Sequence, residues 1–451
     1  MRRLLLPLAL ALSAPAQAED AETLRLLKDL QARLEKLEAR NTELEQALTS
    51  ERLSQNEPEI ATRLKAVEFQ ALGMQKQARM VDALDGITAG VSFTTVAQRA
   101  SGAVAPGSAR DQLTWRGDAQ VSLPGGGSGF TEGNLFFHFR AGQGNGASLN
   151  GAFAGTNASA FQLGGVSQAD DAAPILAQAW YQLSTPLDDK PLGKSQHHLD
   201  VNFGKIDPFL FFDQNGAADD ETAKFLNAAF VHNPLLDAGG QAGVDAYGFT
   251  PGLRIAYSNT VDGPEPWGVS LGVFGSDSGA SFSNSLKSPF VIAQAETTQR
   301  IAGFTGNYRL YAWRNGRATH FDGATREAQA GWGLSADQQV ADGLTLWGRY
   351  GHGVKGHPTF DRAFTLGAEL QGDAWGRGAD SLGLGLGWLT VSNDNKTANP
   401  TLTGSERITE LYYRWRVNPK FELSPDYQIV QRPGGAAGSA RVLGLRAQAT
   451  F

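Results

Sequence analysis

From about residue 86 to the end of the chain, apolar and polar side chains alternate. At the C-terminus every second residue is apolar, namely Leu443, Leu445, Ala447, Ala449 and Phe451. The residues between them are small or polar. Because successive side chains of a β-strand point to opposite faces of its sheet, this pattern predicts strands with one apolar face and one polar face.

The same alternation predicts about sixteen strands, and the connections between them alternate in length. Tight turns such as 418–420 alternate along the chain with longer polar segments such as 393–405. An even number of antiparallel strands with alternating short and long connections is typical of outer-membrane β-barrels. The predicted strands are 87–98, 110–123, 132–142, 175–185, 197–206, 249–260, 266–275, 290–298, 302–314, 325–337, 343–354, 362–370, 380–392, 406–417, 421–432 and 442–451.

One face of each predicted strand suits lipid and the other suits water, although a soluble β-sandwich also alternates in this way. The chain ends on the aromatic residue Phe451, which is typical of outer-membrane barrels. The predicted fold is therefore an all-β transmembrane β-barrel, preceded by an α-helical coiled-coil segment. A barrel of sixteen strands encloses an aqueous channel rather than a packed interior.

The first 85 residues follow different patterns. Residues 1–18 combine two arginines, a short apolar stretch and the sequence Ala16-Gln17-Ala18, which together predict a secretory signal peptide. Residues 19–85 contain a heptad repeat that predicts a periplasmic coiled-coil stalk. Residues 86–451 form the predicted outer-membrane barrel. The core positions of the first half of the stalk are Leu27, Leu30, Leu34, Leu37, Asn41, Leu44 and Leu48.

A coiled coil needs partner helices, so the stalk predicts self-association. We expect a homotrimer, although the polar core residue Asn41 is compatible with a dimer as well. An amphipathic helix that lies on its own barrel is the alternative interpretation of the repeat. A stalk in the periplasm could also contact the cell wall and so act as a tether.

The composition excludes several other classes of protein. Of the 451 residues 19% are charged, and the chain has no cysteine. Disulfide scaffolds and cysteine-based zinc sites are therefore excluded. After the signal peptide no apolar run is long enough for a transmembrane helix. A formal net charge of −7 argues against a nucleic-acid partner.

The longest connection without a strand pattern runs from about residue 207 to 247 and is rich in acidic and aromatic residues. Segments of this length without regular structure are usually functional. Outside the barrel its apolar side chains would form an exposed patch, so we expect it to fold into the lumen as a constriction loop. Residues 219–230 are expected to form a short helix capped by Asp219 or Asp220.

Charged side chains of the strands are expected to face the lumen, because each would cost about 2–4 kcal/mol on the lipid face at the bilayer midplane. The arginines either pair with lumen acids such as Asp118, Glu369 and Glu410, or form a basic wall opposite the acidic loop. The second arrangement would favour dipolar solutes with many hydroxyl groups. The candidate pore-lining residues are Arg116, Arg140, Lys205, Asp213, Asp220, Glu221, Arg254, Arg309, Arg349, Tyr412, Arg414 and Arg416.

Short matches to the motifs of common enzymes occur in this sequence without the structural context that those motifs require. Residues 268–272 match G-x-S-x-G but lie in a predicted strand rather than in a strand–turn–helix elbow. His352 and His357 lie near a predicted external connection and could bind a metal weakly, although two solvated loop side chains are the simpler interpretation. We therefore expect no enzyme activity, no cofactor and no metal site.

Several short motifs occur in the long connection and near the C-terminus. They are Gly204-Lys205-Ile206-Asp207, Phe212-Asp213 with Asn215, Asp220-Glu221, Phe225-Leu226-Asn227, Phe230-Val231, Asn233-Pro234, Pro425-Asp426-Tyr427-Gln428, Pro433-Gly434-Gly435 and Val442-Leu443-Gly444-Leu445-Arg446. With these motifs the sequence resembles the carbohydrate-selective outer-membrane porin family of the OprB type. The resemblance covers most of residues 87–451 and implies a sixteen-stranded outer-membrane channel for sugars, while the coiled-coil segment departs from the compact members of that family.

The expected function is passive, selective diffusion of carbohydrates and similar small polar solutes through a water-filled channel. Because arginine is frequent at inward positions, a porin for small anions is the alternative. A tether from the outer membrane to the cell wall through the coiled coil is a further one. The expected partners are sugars or other small polar solutes, outer-membrane lipid and further copies of the chain.

Overall fold

The protein is described by a computed structural model that covers residues 86–163, 172–237, 247–261, 265–276 and 287–451. The predicted signal peptide (1–18) and coiled-coil stalk (19–85) lie outside these residues. Among the residues that the structure describes, no helix is long and apolar enough to cross a membrane.

Sixteen strands and a few short helices make up the described residues. The strands are β1 (Thr88–Gly102), β2 (Asp111–Ser128), β3 (Thr131–Gln143), β4 (Ile175–Pro186), β5 (His197–Ile206), β6 (Thr250–Asn259), β7 (Trp267–Phe274), β8 (Phe290–Ile301), β9 (Phe304–Thr319), β10 (Arg326–Ala341), β11 (Leu344–Lys355), β12 (Phe360–Gln371), β13 (Ser381–Val391), β14 (Ser405–Asn418), β15 (Phe421–Gln431) and β16 (Ser439–Thr450). The α-helices are α1 (Ala228–Val231) and α2 (Asn393–Ala398), and the 3₁₀ turns are Leu192–Lys194, Pro208–Leu210, Gly372–Trp375 and Pro433–Gly435.

The strands form one closed antiparallel barrel in chain order, and β1 closes it by pairing with β16. The predicted number of strands is confirmed, and each predicted strand overlaps an observed one. Closure leaves the barrel without an open sheet edge, so backbone N–H and C=O groups of every strand pair with both neighbours. Within the membrane that pairing is required, because lipid offers no hydrogen bonds.

Alternation along the strands separates an outer and an inner face. Leu113 and Leu443 are 71% and 59% exposed on the outside, whereas their chain neighbours Thr114 and Val442 are buried. A polar strand face would be costly against lipid, so the apolar set faces outward. The inner face carries the arginines, acids and amides described below.

The two rims of the barrel differ. One rim, here called the turn rim, carries connections as short as 302–303, 342–343 and 419–420, together with the ends of β1 and β16 that pair at Ser92 and Thr450. The other rim, here called the loop rim, carries the connections 144–174 and 207–249. This division agrees with the predicted alternation of short and long connections.

The helix predicted for residues 219–230 is wrong in extent. Only α1 is helical, and Asn227 caps it by accepting a hydrogen bond from the Ala229 N–H. The carboxylate of Asp220 instead accepts the N–H groups of Thr222 and Ala223 in a turn. Polar groups of the segment and of the wall therefore replace the hydrogen bonds that a longer helix would make.

Candidate channel constriction

The described part of the β5–β6 connection, residues 207–237, is here called the long loop. It runs along the inner face of the barrel and makes hydrogen bonds to inward side chains of strands on several sides. Among these partners are Gln294 on β8, Ser335 on β10, Gln428 on β15 and Gln448 on β16. The long loop therefore occupies part of the lumen.

One anchor of the long loop is the buried pair of Arg349 and Asp213. The Arg349 Nε lies 3.2 Å from the Asp213 carboxylate, and its side chain also donates to the backbone carbonyls of Ala218, Phe230 and Asp213. Asp213 accepts a further hydrogen bond from the Tyr311 hydroxyl at 2.6 Å. Both charges are almost fully buried, so they hold the loop and do not line open water.

A second anchor is Glu410 on β14. Its carboxylate accepts the backbone N–H groups of Leu226 and Asn227 at 2.5 and 2.9 Å. The buried guanidinium of Arg446 on β16 donates to the backbone carbonyls of Glu221 and Lys224. Wall side chains thus satisfy backbone groups of the irregular loop that would otherwise be buried without partners.

Aromatic packing completes the anchor. Phe225 of the long loop packs edge-on against Trp347 and Tyr412, with ring centres 5.2 and 4.9 Å apart. Opposite these rings β13 presents Gly385, where a Cβ atom would lie only 3.0 Å from Phe225. The inward glycine of the Gly-Leu-Gly-Leu-Gly stretch therefore leaves room for the loop. Tyr412, expected to line the pore, is 1% exposed and packs on the loop.

A second connection also folds inward, and the sequence analysis missed it. Residues 144–163, here called the short loop, belong to the β3–β4 connection. Its Ala158 N–H donates to the Leu226 carbonyl, and the Ala228 N–H donates to the Gly155 carbonyl. The two loops are therefore joined backbone to backbone. The many Gly, Ala, Ser and Asn residues of 144–160 were the available signal, because small side chains allow such close approach.

The wall beside the two loops carries a ladder of charges on β2 and β3. Asp118 lies at its centre, with the Arg116 Nε at 2.8 Å and the Arg140 Nε and His138 Nε2 each at 2.7 Å. The Arg116 Nη1 also reaches the Glu221 carboxylate of the long loop at 2.8 Å. Arg116 thus links the wall directly to the loop.

Glu221 and Arg140 are the members of this ladder with the most accessible side chains, which are 20% and 15% exposed. Burial alone would raise the pKa of Glu221, but the charges of Arg116 and Arg140 outweigh it and lower that pKa. Glu221 therefore stays ionised at neutral pH. A carboxylate and a guanidinium thus face the lumen close together.

Lys205, Arg254 and Arg309 occupy the inner wall at other places. Lys205 donates to the Leu176 carbonyl, and Arg254 lies over the ring of Phe211 and donates to Asn202. Arg309 lies 3.4 Å from an Asp337 oxygen and 3.6 Å from a Glu296 oxygen. These cations lie on β5, β6 and β9.

Arg414 and Arg416 share one partner on β15. Their Nε atoms lie 3.8 and 3.0 Å from the two carboxylate oxygens of Glu422, towards the turn rim. Of the acids expected to pair with wall arginines, Asp118 does so. Glu369 instead lies 3.4 Å from Lys224 of the long loop, and Glu410 binds loop backbone.

Residues 133–451 match the family model described as the carbohydrate-selective porin, OprB family. The chain belongs to the carbohydrate-selective porin family. The match includes both loops and the constriction residues of β3 to β16, and it leaves out Arg116 and Asp118 on β2. No curated protein matches the sequence. The family and the fold are those of an outer-membrane channel.

Comparison with solved structures gives several matches, of which the first has the same fold. The high-pH structure of Pseudomonas putida OprB aligns with a TM-score of 0.62 at 18% identity, over 81% of this chain and 94% of that one. The low-pH structure of the same protein has a TM-score of 0.48 at 16% identity, over 81% and 93%. A mutant of Rh. blastica porin has 0.44 at 11% identity, over 81% and 100%.

Proposed function

We propose that the channel selects carbohydrates at the constriction between Glu221 on the long loop and Arg140 on the wall. The observation that supports this most is that the accessible Glu221 carboxylate and the accessible Arg140 guanidinium belong to one cluster of ion pairs, where the long loop meets the wall. The buried anchors Arg349, Glu410 and Arg446 keep the loop in place, so that the two groups stay at a fixed separation.

A neutral polyol can use both groups at once. Its hydroxyl hydrogens donate to Glu221, and its hydroxyl oxygens accept from Arg140. Each such hydrogen bond contributes a net of about 0.5–1.5 kcal/mol, or somewhat more to a charged group. Contacts of this strength retain a sugar briefly and still release it, as conduction through a channel requires.

A small-anion porin is the second candidate, because Arg140, Arg254 and Arg309 all lie on the inner wall. An anion would be attracted by these cations over about 8–10 Å at physiological salt. It would also be repelled by the Glu221 carboxylate of the long loop. The loop carboxylate therefore favours the carbohydrate over the anion.

Liposome swelling with purified variants distinguishes the two candidates. For Glu221→Gln we expect slower uptake of a neutral hexose and faster uptake of an anion of similar size. For Arg140→Gln we expect slower uptake of both. Lys190→Gln, in a turn-rim connection outside the lumen, is the matched control and should change neither. Unchanged hexose uptake in both lumen variants would refute the proposed constriction.

The loop rim, in this proposal, faces the outside of the cell and the turn rim faces the periplasm. This orientation places the N-terminal end of β1 on the side from which a periplasmic stalk of residues 19–85 would extend. The heptad repeat of that segment supports a homotrimer. Crosslinking in mild detergent tests it, and a purely monomeric protein would refute it. A contact between the stalk and the cell wall would add tethering to transport.

A further inference from the structure

Three potential metal ligands meet at the loop rim, and none of them is a residue of the constriction. One ligand atom each from His320, Glu327 and His357 lies within 4.8 Å of the others. His320 follows β9, Glu327 lies at the start of β10, and His357 lies between β11 and β12. Two neighbouring connections, 320–325 and 356–359, therefore converge on one point.

We propose that His320, Glu327 and His357 bind a divalent first-row transition cation of the Zn²⁺ type. Two imidazoles and one carboxylate are a ligand set that Zn²⁺ uses, with a fourth position left for water. Ca²⁺ and Mg²⁺ prefer oxygen ligands and are not expected to bind here.

The distances suit such an ion. Tetrahedral ligands at about 2.0–2.1 Å from Zn²⁺ lie about 3.3 Å from one another. The His357 Nδ1 is 2.9 Å from the Glu327 Oε2, and the ring centres of the two histidines are 5.2 Å apart. A zinc ion would therefore need His357 and Glu327 to move apart by a few tenths of an ångström. It would also need a modest rotation of the two histidine rings, and all three ligands would then surround one ion.

Outer groups support the same arrangement. With Nδ1 directed at the ion, the other ring nitrogen of His357 faces Asp394, whose Oδ2 lies 4.0 Å away. A carboxylate that hydrogen-bonds to a ligating histidine orients the ring and strengthens its donor nitrogen, and Asp394 would need to move closer by about 1 Å to do so. The backbone also holds the site, because the Phe321 N–H donates to the His357 carbonyl at 2.9 Å.

Isothermal titration of the full-length mature protein tests the site, after removal of any histidine tag and of bound metal by a chelator. We expect one saturable Zn²⁺ site per chain and no saturable Ca²⁺ binding. His320→Ala and His357→Ala should each weaken Zn²⁺ binding by at least about tenfold. Glu327→Gln should weaken it as well, although its amide oxygen can still accept the hydrogen bonds from His357.

His198→Ala, a histidine substitution in β5 near the turn rim, is the matched control and should leave the affinity unchanged. A test without variants is chemical modification of histidine in the wild-type protein, read by mass spectrometry. Zn²⁺ should protect His320 and His357 but not His198. Absence of a saturable site, or an affinity that none of the three ligand substitutions changes, would overturn the proposal and leave Glu327 and His357 as a simple ion pair.

Discussion

At the scale of single residues, the Arg349–Asp213 pair shows how a charge can hold an irregular segment. Both side chains are buried, and the guanidinium also donates hydrogen bonds to three backbone carbonyls. A buried ion pair stabilises a fold little more than a hydrophobic pair of equal size would. Removal of only one of the two partners, however, lowers the stability by about 3–5 kcal/mol. The pair therefore matters most for where the long loop lies.

For Arg349→Met we expect a loss of stability of about 3–5 kcal/mol and a larger, noisier single-channel conductance, because Asp213 is left buried without its cation. Thermal unfolding and bilayer recordings measure the two effects. The double variant Arg349→Met with Asp213→Asn should cost less than the sum of the single variants. Simple additivity would contradict the coupling.

Asp207, at the start of the long loop, gives a pH-dependent prediction. Burial raises its pKa from 3.8 to about 6, although His232 and the Phe209 N–H oppose the shift. An acid with a raised pKa stabilises the fold while it is protonated. Its contribution is therefore complete below pH 3.8 and is lost as the pH rises through about 6.

We expect the stability of the Asp207→Asn variant to depend less on pH than that of the wild type between pH 4 and 6. The wild type should lose stability relative to the variant as the pH rises from 4 to 6, and the difference should be constant above that range. Thermal unfolding in detergent at several pH values measures it. A difference that grows as the pH falls would contradict the assignment.

At the scale of elements, one of the two backbone hydrogen bonds that join the loops can be removed by a single substitution. Ala228 is the first residue of α1, where proline is tolerated because the N–H has no helical partner. That N–H donates to the Gly155 carbonyl. The preceding residue Asn227 already has the extended backbone, with φ −70° and ψ 126°, that proline requires of it.

For Ala228→Pro we therefore expect α1 to remain while the contact between the loops weakens, at a cost of about 0.5–1.5 kcal/mol for the lost hydrogen bond. Single-channel conductance should increase and sugar selectivity should fall. Ala228→Gly keeps the N–H group and is the control. Equal conductance in both variants would show that the short loop does not help to shape the channel.

Some elements of this fold can be predicted from the sequence and others cannot. The strands were predictable because a period of two follows directly from strand geometry. The place of the long loop was predictable because its many aromatic side chains need cover. The short loop gave a weaker signal, because its small side chains allow close packing but do not require cover. Tyr412 has the expected inward register, but its packing on Phe225 depends on contacts between residues 187 positions apart.

At the scale of the whole molecule, β1 closes the barrel by pairing its residues 92–102 with residues 440–450 of β16. We therefore expect removal of residues 19–85 to leave a folded channel with the conductance of the full chain. Crosslinking should yield monomers if the coiled coil holds the assembly together. Crosslinked trimers that persist after the deletion would place the interface on the barrel instead.

The central claim is that the channel recognises neutral carbohydrates between the long loop and the charged wall. Planar-bilayer recording of the wild-type channel tests it most directly, with a neutral hexose or phosphate added to one side. We predict that the hexose blocks the ion current in a saturable manner and that phosphate blocks it more weakly. Saturable block by phosphate without block by the hexose would contradict the account and favour an anion porin.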